Sequence, residues 1–176
     1  MGRFVALLSG DNVPLGLGEL TALLDVLGGS LVGERSHPRL PEFVADASTA
    51  RDVAWRSALV KETVMKLFEV ETREVGRSFD LLLDELPRPR GPIAVRALKL
   101  EEVPVRRTEV ERWVASRLLE EWKGVGVDLE RPGEVIRVYV TSRSVIGGIL
   151  VGVRDNEGLA RRSPVNRPFR LPSTLK

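Results

Sequence analysis

The sequence predicts an α/β protein of the α+β type, in which strands and helices follow each other in mixed order. Two observations predict this class. Apolar runs of strand length, such as residues 3–9 and 134–140, stand beside segments with leucine at helical spacing, such as residues 17–28. The chain has 176 residues, of which 43% are hydrophobic. It can therefore bury a core as one large domain or as two small ones.

The first 71 residues predict a domain of ferredoxin-like type, because their elements follow the β-α-β-β-α-β order of the split βαβ motif. Leucines at helical spacing form the apolar face of the first helix, and Gly28-Gly29 ends it. Ser48 or Thr49 is predicted to cap the second helix. The predicted elements are a strand at 3–9, a helix at 17–28, strands at 31–34 and 41–47, a helix from 48 to about 59, and a strand at 61–71.

Residues 72–153 predict a second α/β domain, and residues 154–176 predict a linker. Thr108 is predicted to cap a helix, with Glu111 at the spacing of a capping box. Thr141-Ser142-Arg143 suits a tight hairpin between the last two strands. From residue 156 onward the periodicity stops, and arginine and proline become frequent. The predicted elements are a helix at 73–86, a strand at 93–100, a helix at 109–123, and strands at 134–140 and 144–153.

The composition excludes several classes of protein. Without cysteine there is no disulfide scaffold, thiolate metal site or cysteine nucleophile, and His37 is the only candidate imidazole base. No apolar run reaches about 18 residues. The apolar run at the N-terminus is too short for a signal peptide. We therefore expect a cytoplasmic protein with no membrane-spanning segment. The absence of cysteine and glutamine also fits a thermophilic source.

The charge is unevenly distributed along the chain. Residues 1–88 hold 10 basic and 14 acidic side chains (net −4), whereas residues 89–176 hold 17 and 11 (net +6). Arginine outnumbers lysine by 22 to 5, which suits phosphate contact but also follows from a GC-rich genome. The asymmetry indicates a C-terminal half that faces a polyanion. An ordinary charged surface with a solvated tail gives the same pattern.

The sequence contains no convincing catalytic constellation. The glycine clusters at 16–18, 124–126 and 147–152 do not have the phosphate-loop pattern of a glycine-rich turn that opens a helix after a strand. The acidic pairs at 101–102 and 120–121 are expected to face solvent rather than a metal. We therefore predict no catalytic residue, no metal site and no enzyme activity for this chain alone. A small enzyme that acts through carboxylates and arginine remains a weaker alternative.

Three segments of the second half together resemble a THUMP domain. Gly91–Lys99 is similar to the family's apolar-x-Val-Arg strand, Arg107–Glu111 to the start of its next helix, and Val127–Pro132 to the turn before its hairpin. Residues 162–176 resemble the connector that leads into the catalytic domain of archaeal tRNA guanosine N2-methyltransferases, which modify the guanosine at position 10. The first half fits the ferredoxin-like domain that precedes THUMP in that family.

The resemblance implies a tRNA-binding module, since THUMP domains typically hold the acceptor 3′ end of tRNA. The family's methyltransferase domain carries a glycine-rich S-adenosylmethionine loop and an Asp/Asn-Pro-Pro-Tyr active site, and this sequence contains neither. The implied partners are tRNA and a methyltransferase domain outside these residues, and S-adenosylmethionine is the cofactor of that domain only. We expect a monomer that by itself methylates nothing. A protein-interaction adaptor that docks a catalytic partner is the alternative.

Nine basic residues are predicted to contact RNA. Phosphate contact is expected to dominate, because aromatic residues are only 5% of the chain and the tryptophans at 55, 113 and 122 are expected in the core. The alternatives are a structural ion pair for Arg96, a solvated helix start for Arg106 and Arg107, and docking onto the methyltransferase domain for the connector. The predicted residues are Arg96, Lys99, Arg106, Arg107 and Arg143 and, on the connector, Arg161, Arg162, Arg167 and Arg170.

Overall fold

The computed structural model describes residues 1–33, 36–76 and 88–157, which form a mixed sheet with three helices. The α+β fold class is thereby confirmed. The strands are β1 (Gly2–Leu8), β2 (Ser30–Leu31), β3 (Glu42–Ala45), β4 (Val60–Glu71), β5 (Ile93–Lys99), β6 (Glu134–Val140) and β7 (Ser144–Val153). The helices are α1 (Val13–Leu27), α2 (Ala47–Arg56) and α3 (Arg107–Glu121), with a short 3-10 turn at Thr72–Glu74.

Seven strands form one sheet in the order β2-β3-β1-β4-β7-β6-β5. The first four strands pair antiparallel, and α1 and α2 provide the two crossovers, which is the ferredoxin-like arrangement predicted for the first half. In the second half, β5 and β6 pair in parallel through α3, and β6 and β7 form a hairpin. Strand β4 ends at the predicted domain boundary and pairs with both β1 and β7, so both halves share the sheet.

All three helices lie on the same face of the sheet. Met65 of β4 packs against two core clusters, one beneath α1 and α2 and the other beneath α3. Its neighbours in the register are Phe4 of β1, which belongs to the first cluster, and Ile149 of β7, which belongs to the second. Because directly paired residues in a sheet point to the same face, both clusters lie on one side.

The sheet folds over on its other face, where no described helix lies. The Tyr139 hydroxyl on β6 donates to a Glu62 carboxylate oxygen on β4 at 2.9 Å. By register, however, Tyr139 lies opposite Ile146 of β7, which lies opposite Glu69 of β4. Glu69 is about 23 Å along an extended strand from Glu62. The hydrogen bond therefore requires a strongly bent sheet, and β4 carries two register shifts that bend it.

A small apolar cluster fills the inside of this bend. It joins residues from the first half to residues from the hairpin of the second half, and all of them are almost completely buried. The bend thus brings β1 and β4 close to β6 without an intervening helix among the described residues. The cluster consists of Val5, Leu7, Leu40, Val64, Tyr139 and Ile146.

The predicted helix starts were wrong. Helix α1 begins four residues before the predicted start at residue 17. The Asn12 side chain accepts from the Leu15 N–H at 3.0 Å and so caps the helix. The hydroxyl of Thr49 donates to the Leu27 carbonyl of α1 instead of capping α2, which begins after Asp46. Thr108 lies inside α3, where Arg106 is the N-cap and the Glu109 carboxylate accepts from the Arg106 N–H.

Two predicted segments fall largely outside the described residues. Of the helix predicted at 73–86, the structure describes only residues 73–76, which include the end of the 3-10 turn. Of the predicted linker it describes residues 154–157, where the Arg154 N–H donates to the Lys61 carbonyl and extends the pairing of β7 with β4. The three strands of the second half and the hairpin turn are confirmed. Among described residues, no helix has both the length and the apolarity needed to cross a bilayer.

Candidate nucleic-acid interface

A basic cleft of about 320 Å³ lies between the two halves of the bent sheet. Leu7, Lys61 and Glu62 of the first half form one side, and residues of β5, β6 and α3 form the other. Four cationic residues and two acidic residues line the cleft, so its net charge is positive. The residues of the second half are Arg96, Ala97, Leu98, Arg107, Glu111 and Arg137.

Arg137 is held in the basic cleft by a buried carboxylate. Its guanidinium approaches Glu62 with two nitrogens, both at 2.9 Å from the carboxylate oxygens. The Glu62 side chain is only 9% exposed, and Arg137 is 25% exposed. Burial, together with the neighbouring Glu62 charge, raises the pKa of Tyr139 well above its ordinary value. Tyr139 therefore remains a neutral hydrogen-bond donor that helps to hold the Glu62 carboxylate in place.

Arg96 lines the basic cleft, as its position on β5 predicts, and also has a structural contact. Its guanidinium donates to the backbone carbonyl of Leu129 at 2.7 Å. The sequence left open a structural ion pair for Arg96. The partner is instead an uncharged group, the Leu129 carbonyl oxygen in the turn before β6. The contact fixes the side chain without neutralising its charge, so Arg96 retains the positive charge that a phosphate needs.

Arg107 is the first residue of α3 and is 64% exposed. Its Nε lies 3.6 Å from the Glu111 carboxylate one turn later, a distance typical of a weak surface ion pair. Glu111 also accepts from the Ala97 N–H at 2.9 Å, which ties α3 to the outer edge of β5. Because the first N–H groups of a helix also favour an anion, this helix start is suited to a phosphate.

Lys99 and Arg106 do not line the basic cleft. The Lys99 ammonium donates to the Val103 carbonyl at 2.8 Å, in the loop between β5 and α3. Arg106 is exposed at the N-cap of α3, one residue before Arg107. Both residues flank the loop that leads from β5 to α3, so they are neighbours of the basic cleft rather than part of it.

Arg143 lies in a second depression, of about 520 Å³, at the tip of the β6–β7 hairpin. Within the described residues no group bonds its guanidinium. The depression also contains two carboxylates, and Arg73 pairs with one of them, Glu71. The depression therefore contains both positive and negative side chains, and it suits a polyanion less well than the basic cleft does. Its other residues are Ser36, Glu69, Ser142 and Ser144.

His37 makes a structural contact near the same hairpin. Its Nε2 lies 3.4 Å from the Glu101 carboxylate, and Glu101 accepts from the Ser142 N–H at 2.6 Å. Burial lowers the pKa of His37 below its ordinary value, although the Glu101 charge opposes that shift. Within residues 1–33, 36–76 and 88–157 no group of three histidine or acidic side chains is placed to hold a metal.

The sequence interpretation missed two residues of the basic cleft, Lys61 and Arg137. A signal was present, because Arg137 interrupts the otherwise apolar run of β6 and Glu62 stands at the start of β4. A charged residue inside a buried strand needs a partner, and Arg137 and Glu62 are each other's partners across the bend.

The tryptophans were expected in the core, and this expectation was wrong for one of them. Trp122 is buried, but Trp55 is 55% exposed on α2. Arg161, Arg162, Arg167 and Arg170 lie outside the described residues.

Comparison with known proteins gives matches among solved structures, whereas no protein-family model and no curated protein matches the chain. TrmN from Thermus thermophilus is 25% identical, with a TM-score of 0.55 over 85% of this chain and 45% of that one. A 4-thiouridine synthetase, solved with RNA and ATP, is 17% identical, with a TM-score of 0.52 over 84% and 40%. SMU.472, named as a methyltransferase and solved with SAH, is 13% identical, with a TM-score of 0.57 over 85% and 41%.

The chain spans less than half the length of each of these three structures. What it shares with them is the fold. TrmN is a tRNA methyltransferase with a THUMP domain, and 4-thiouridine synthetase also carries a THUMP domain. The described residues therefore have a fold that occurs in tRNA-modifying enzymes.

Proposed function

We propose that this chain is an RNA-binding region that holds tRNA for a modifying enzyme. The observation that carries the proposal is the basic cleft, where Lys61, Arg96, Arg107 and Arg137 converge from both halves of the sheet. Arginine and lysine hold nucleic acids mainly through phosphate contacts, which need no catalytic group. In the sequence, residues 89–176 carry a net charge of +6, which favours association with a polyanion.

The known structures support a role in tRNA modification. One of the similar structures was solved with RNA bound, one is a tRNA methyltransferase, and one was solved with SAH. We infer that this region binds the acceptor 3′ end of tRNA and presents the guanosine at position 10 to a methyltransferase domain. S-adenosylmethionine is the cofactor of that domain, and the region works as a monomer in the cytoplasm. The 176 residues themselves supply binding and positioning, not the methyl-transfer chemistry.

The proposal is tested by titrating the chain with whole tRNA, and with the same tRNA lacking its single-stranded 3′ end, at several salt concentrations. Each phosphate contact releases counterions, so the logarithm of the association constant is expected to fall linearly with the logarithm of salt, with a slope of about −2 to −4. Removing the 3′ end should weaken binding. A tRNA affinity that does not change with salt contradicts the RNA-binding role, and equal binding of both RNAs contradicts acceptor-end recognition.

A second candidate function is an adaptor that docks a protein partner, and one surface favours it. Leu15 and Val26 of α1 are 59% and 81% exposed, and their separation of eleven residues places them on the same side of the helix. If this surface is the functional one, the chain should bind a methyltransferase domain at high salt but bind tRNA poorly at any salt. Adding that domain to the tRNA titration separates the two functions.

A further inference from the structure

The charge of the basic cleft matches a phosphate with two negative charges better than one with a single charge. Four cations face two carboxylates, Glu62 and Glu111, which leaves a balance of two positive charges. A phosphodiester inside an RNA strand carries one negative charge. A phosphomonoester carries about 1.5 to 2 negative charges at neutral pH, because its second pKa is about 6.

The walls of the cleft also favour a chain end over a continuous backbone. Its volume of about 320 Å³ is enough to hold a terminal phosphate. Leu7 and Leu98 contribute apolar wall, and the two carboxylates repel additional phosphates. A continuous backbone would bring further phosphates towards these carboxylates, whereas a terminal phosphate would not.

Arg137 is oriented for such a ligand before the ligand arrives. One terminal nitrogen donates to Glu62, and the Nε lies 2.9 Å from the same carboxylate as an ion pair without hydrogen-bond geometry. No described residue bonds the other terminal nitrogen, Nη1. The guanidinium is therefore fixed on one side and has donors left on the other. A prepositioned, partly buried guanidinium binds a phosphate oxygen more tightly than a mobile surface arginine, because less conformational freedom is lost.

We propose that the basic cleft binds the 5′-terminal monophosphate of an RNA. This proposal rests on the proposed RNA-binding function and names the group that occupies the site. In tRNA the 5′ phosphate is at the same end of the molecule as the 3′ tail, so one region can hold both. Arg137 and Arg107 are the principal ligands, and Glu62 is a positioning residue that acts through Arg137.

The test compares two RNAs of identical sequence and length, one with a 5′-monophosphate and one with a 5′-hydroxyl. The chain is expected to bind the phosphorylated RNA roughly tenfold more tightly at pH 7.5, the value of one charge-assisted hydrogen bond. The preference should shrink below about pH 6, where the phosphate takes up its second proton. Equal binding of both RNAs at pH 7.5 overturns the proposal but leaves RNA binding intact. If neither RNA binds, the proposed function and this proposal both fail.

Variants identify the ligands. Arg137→Lys keeps the charge but loses the paired N–H geometry, so the preference for the 5′-phosphate should disappear. Because this change could also affect folding, Arg107→Gln provides a second measurement at an exposed position and should reduce the same preference. Arg112→Gln is the matched control, since Arg112 is exposed on the same helix but does not line the basic cleft. A preference that survives both cleft variants, or that Arg112→Gln also removes, contradicts the proposed site.

Discussion

At the scale of single residues, the buried contacts of Glu62 explain how a charged group persists inside the bend. A carboxylate removed from water is costly unless it is paired and hydrogen-bonded. Glu62 receives the Arg137 guanidinium and the Tyr139 hydroxyl, both at 2.9 Å. Each of these partners comes from β6, whereas Glu62 belongs to β4. The network therefore stabilises the bend and at the same time positions the cation that we assign to phosphate binding.

Tyr139 allows a direct test of this network, because it is the only tyrosine in the chain. Its pKa is raised, so the folded state should hold the neutral phenol at pH 10.5, where about three quarters of a free tyrosine is ionised. The unfolded chain ionises near pH 10, and the free energy of unfolding should therefore fall as the pH rises above that value. The tyrosinate absorbance measures the ionisation, and urea denaturation at several pH values measures the free energy of unfolding.

The control for this titration is the chain unfolded in urea, which should titrate near pH 10. Tyr139→Phe should remove the signal and lower the free energy of unfolding by about 1–2 kcal/mol, since Glu62 keeps Arg137 as its partner. A tyrosinate signal with a midpoint near pH 10 in a chain that remains folded would contradict the buried network.

At the scale of elements, the glycines of β7 permit the bend of the sheet. A Cβ on Gly148 would overlap the Met65 carbonyl oxygen of β4, next to one of the two register shifts. Backbone atoms cannot move aside as the end of a flexible side chain can. Glycine at this position therefore allows β4 and β7 to approach closely where the sheet changes direction.

We predict that Gly148→Ala lowers the free energy of unfolding by about 2–3 kcal/mol through overpacking. The matched control is Gly18→Ala on the exposed side of α1, where no atom would lie within 4 Å of the new methyl group. This control should raise the free energy of unfolding by about 0.5–1 kcal/mol, because alanine favours a helix over glycine. Denaturation in guanidinium chloride measures both. Equal effects of the two changes would show that the close approach at Gly148 does not matter.

Strands and helices could be predicted from the sequence because apolar periodicity is local, and β6 and β7 even have the predicted bounds. Helix starts were less predictable, because several side chains compete for one cap. The Thr49 hydroxyl is a group that can cap a helix, but in the folded protein it donates to the Leu27 carbonyl instead. Arg96 and Arg107 were predicted for the site, whereas Lys61 and Arg137 were missed because their convergence depends on the bend.

At the scale of the whole molecule, the two halves act together in forming the basic cleft. The net charge of residues 1–88 is negative, which gives no indication that the first half contributes to a basic site. The first half nevertheless supplies Lys61 and the Glu62 carboxylate that orients Arg137. Glu62 and Tyr139 are 77 residues apart, a separation that no local sequence pattern can connect. The division of the chain at residue 71 thus remains a prediction about folding units, while the binding site that we propose needs both units.

The most direct test of RNA binding in the basic cleft is a pair of charge reversals on α3, measured by tRNA affinity at several salt concentrations. Arg107→Glu and Arg112→Glu change the net charge equally, at exposed positions of one helix, but only Arg107 lines the cleft. We predict that Arg107→Glu weakens tRNA binding by about tenfold and lowers the salt slope by about one, while Arg112→Glu has a much smaller effect. Equal losses for the two variants would mean that tRNA senses only the overall charge, and would contradict the cleft as its binding site.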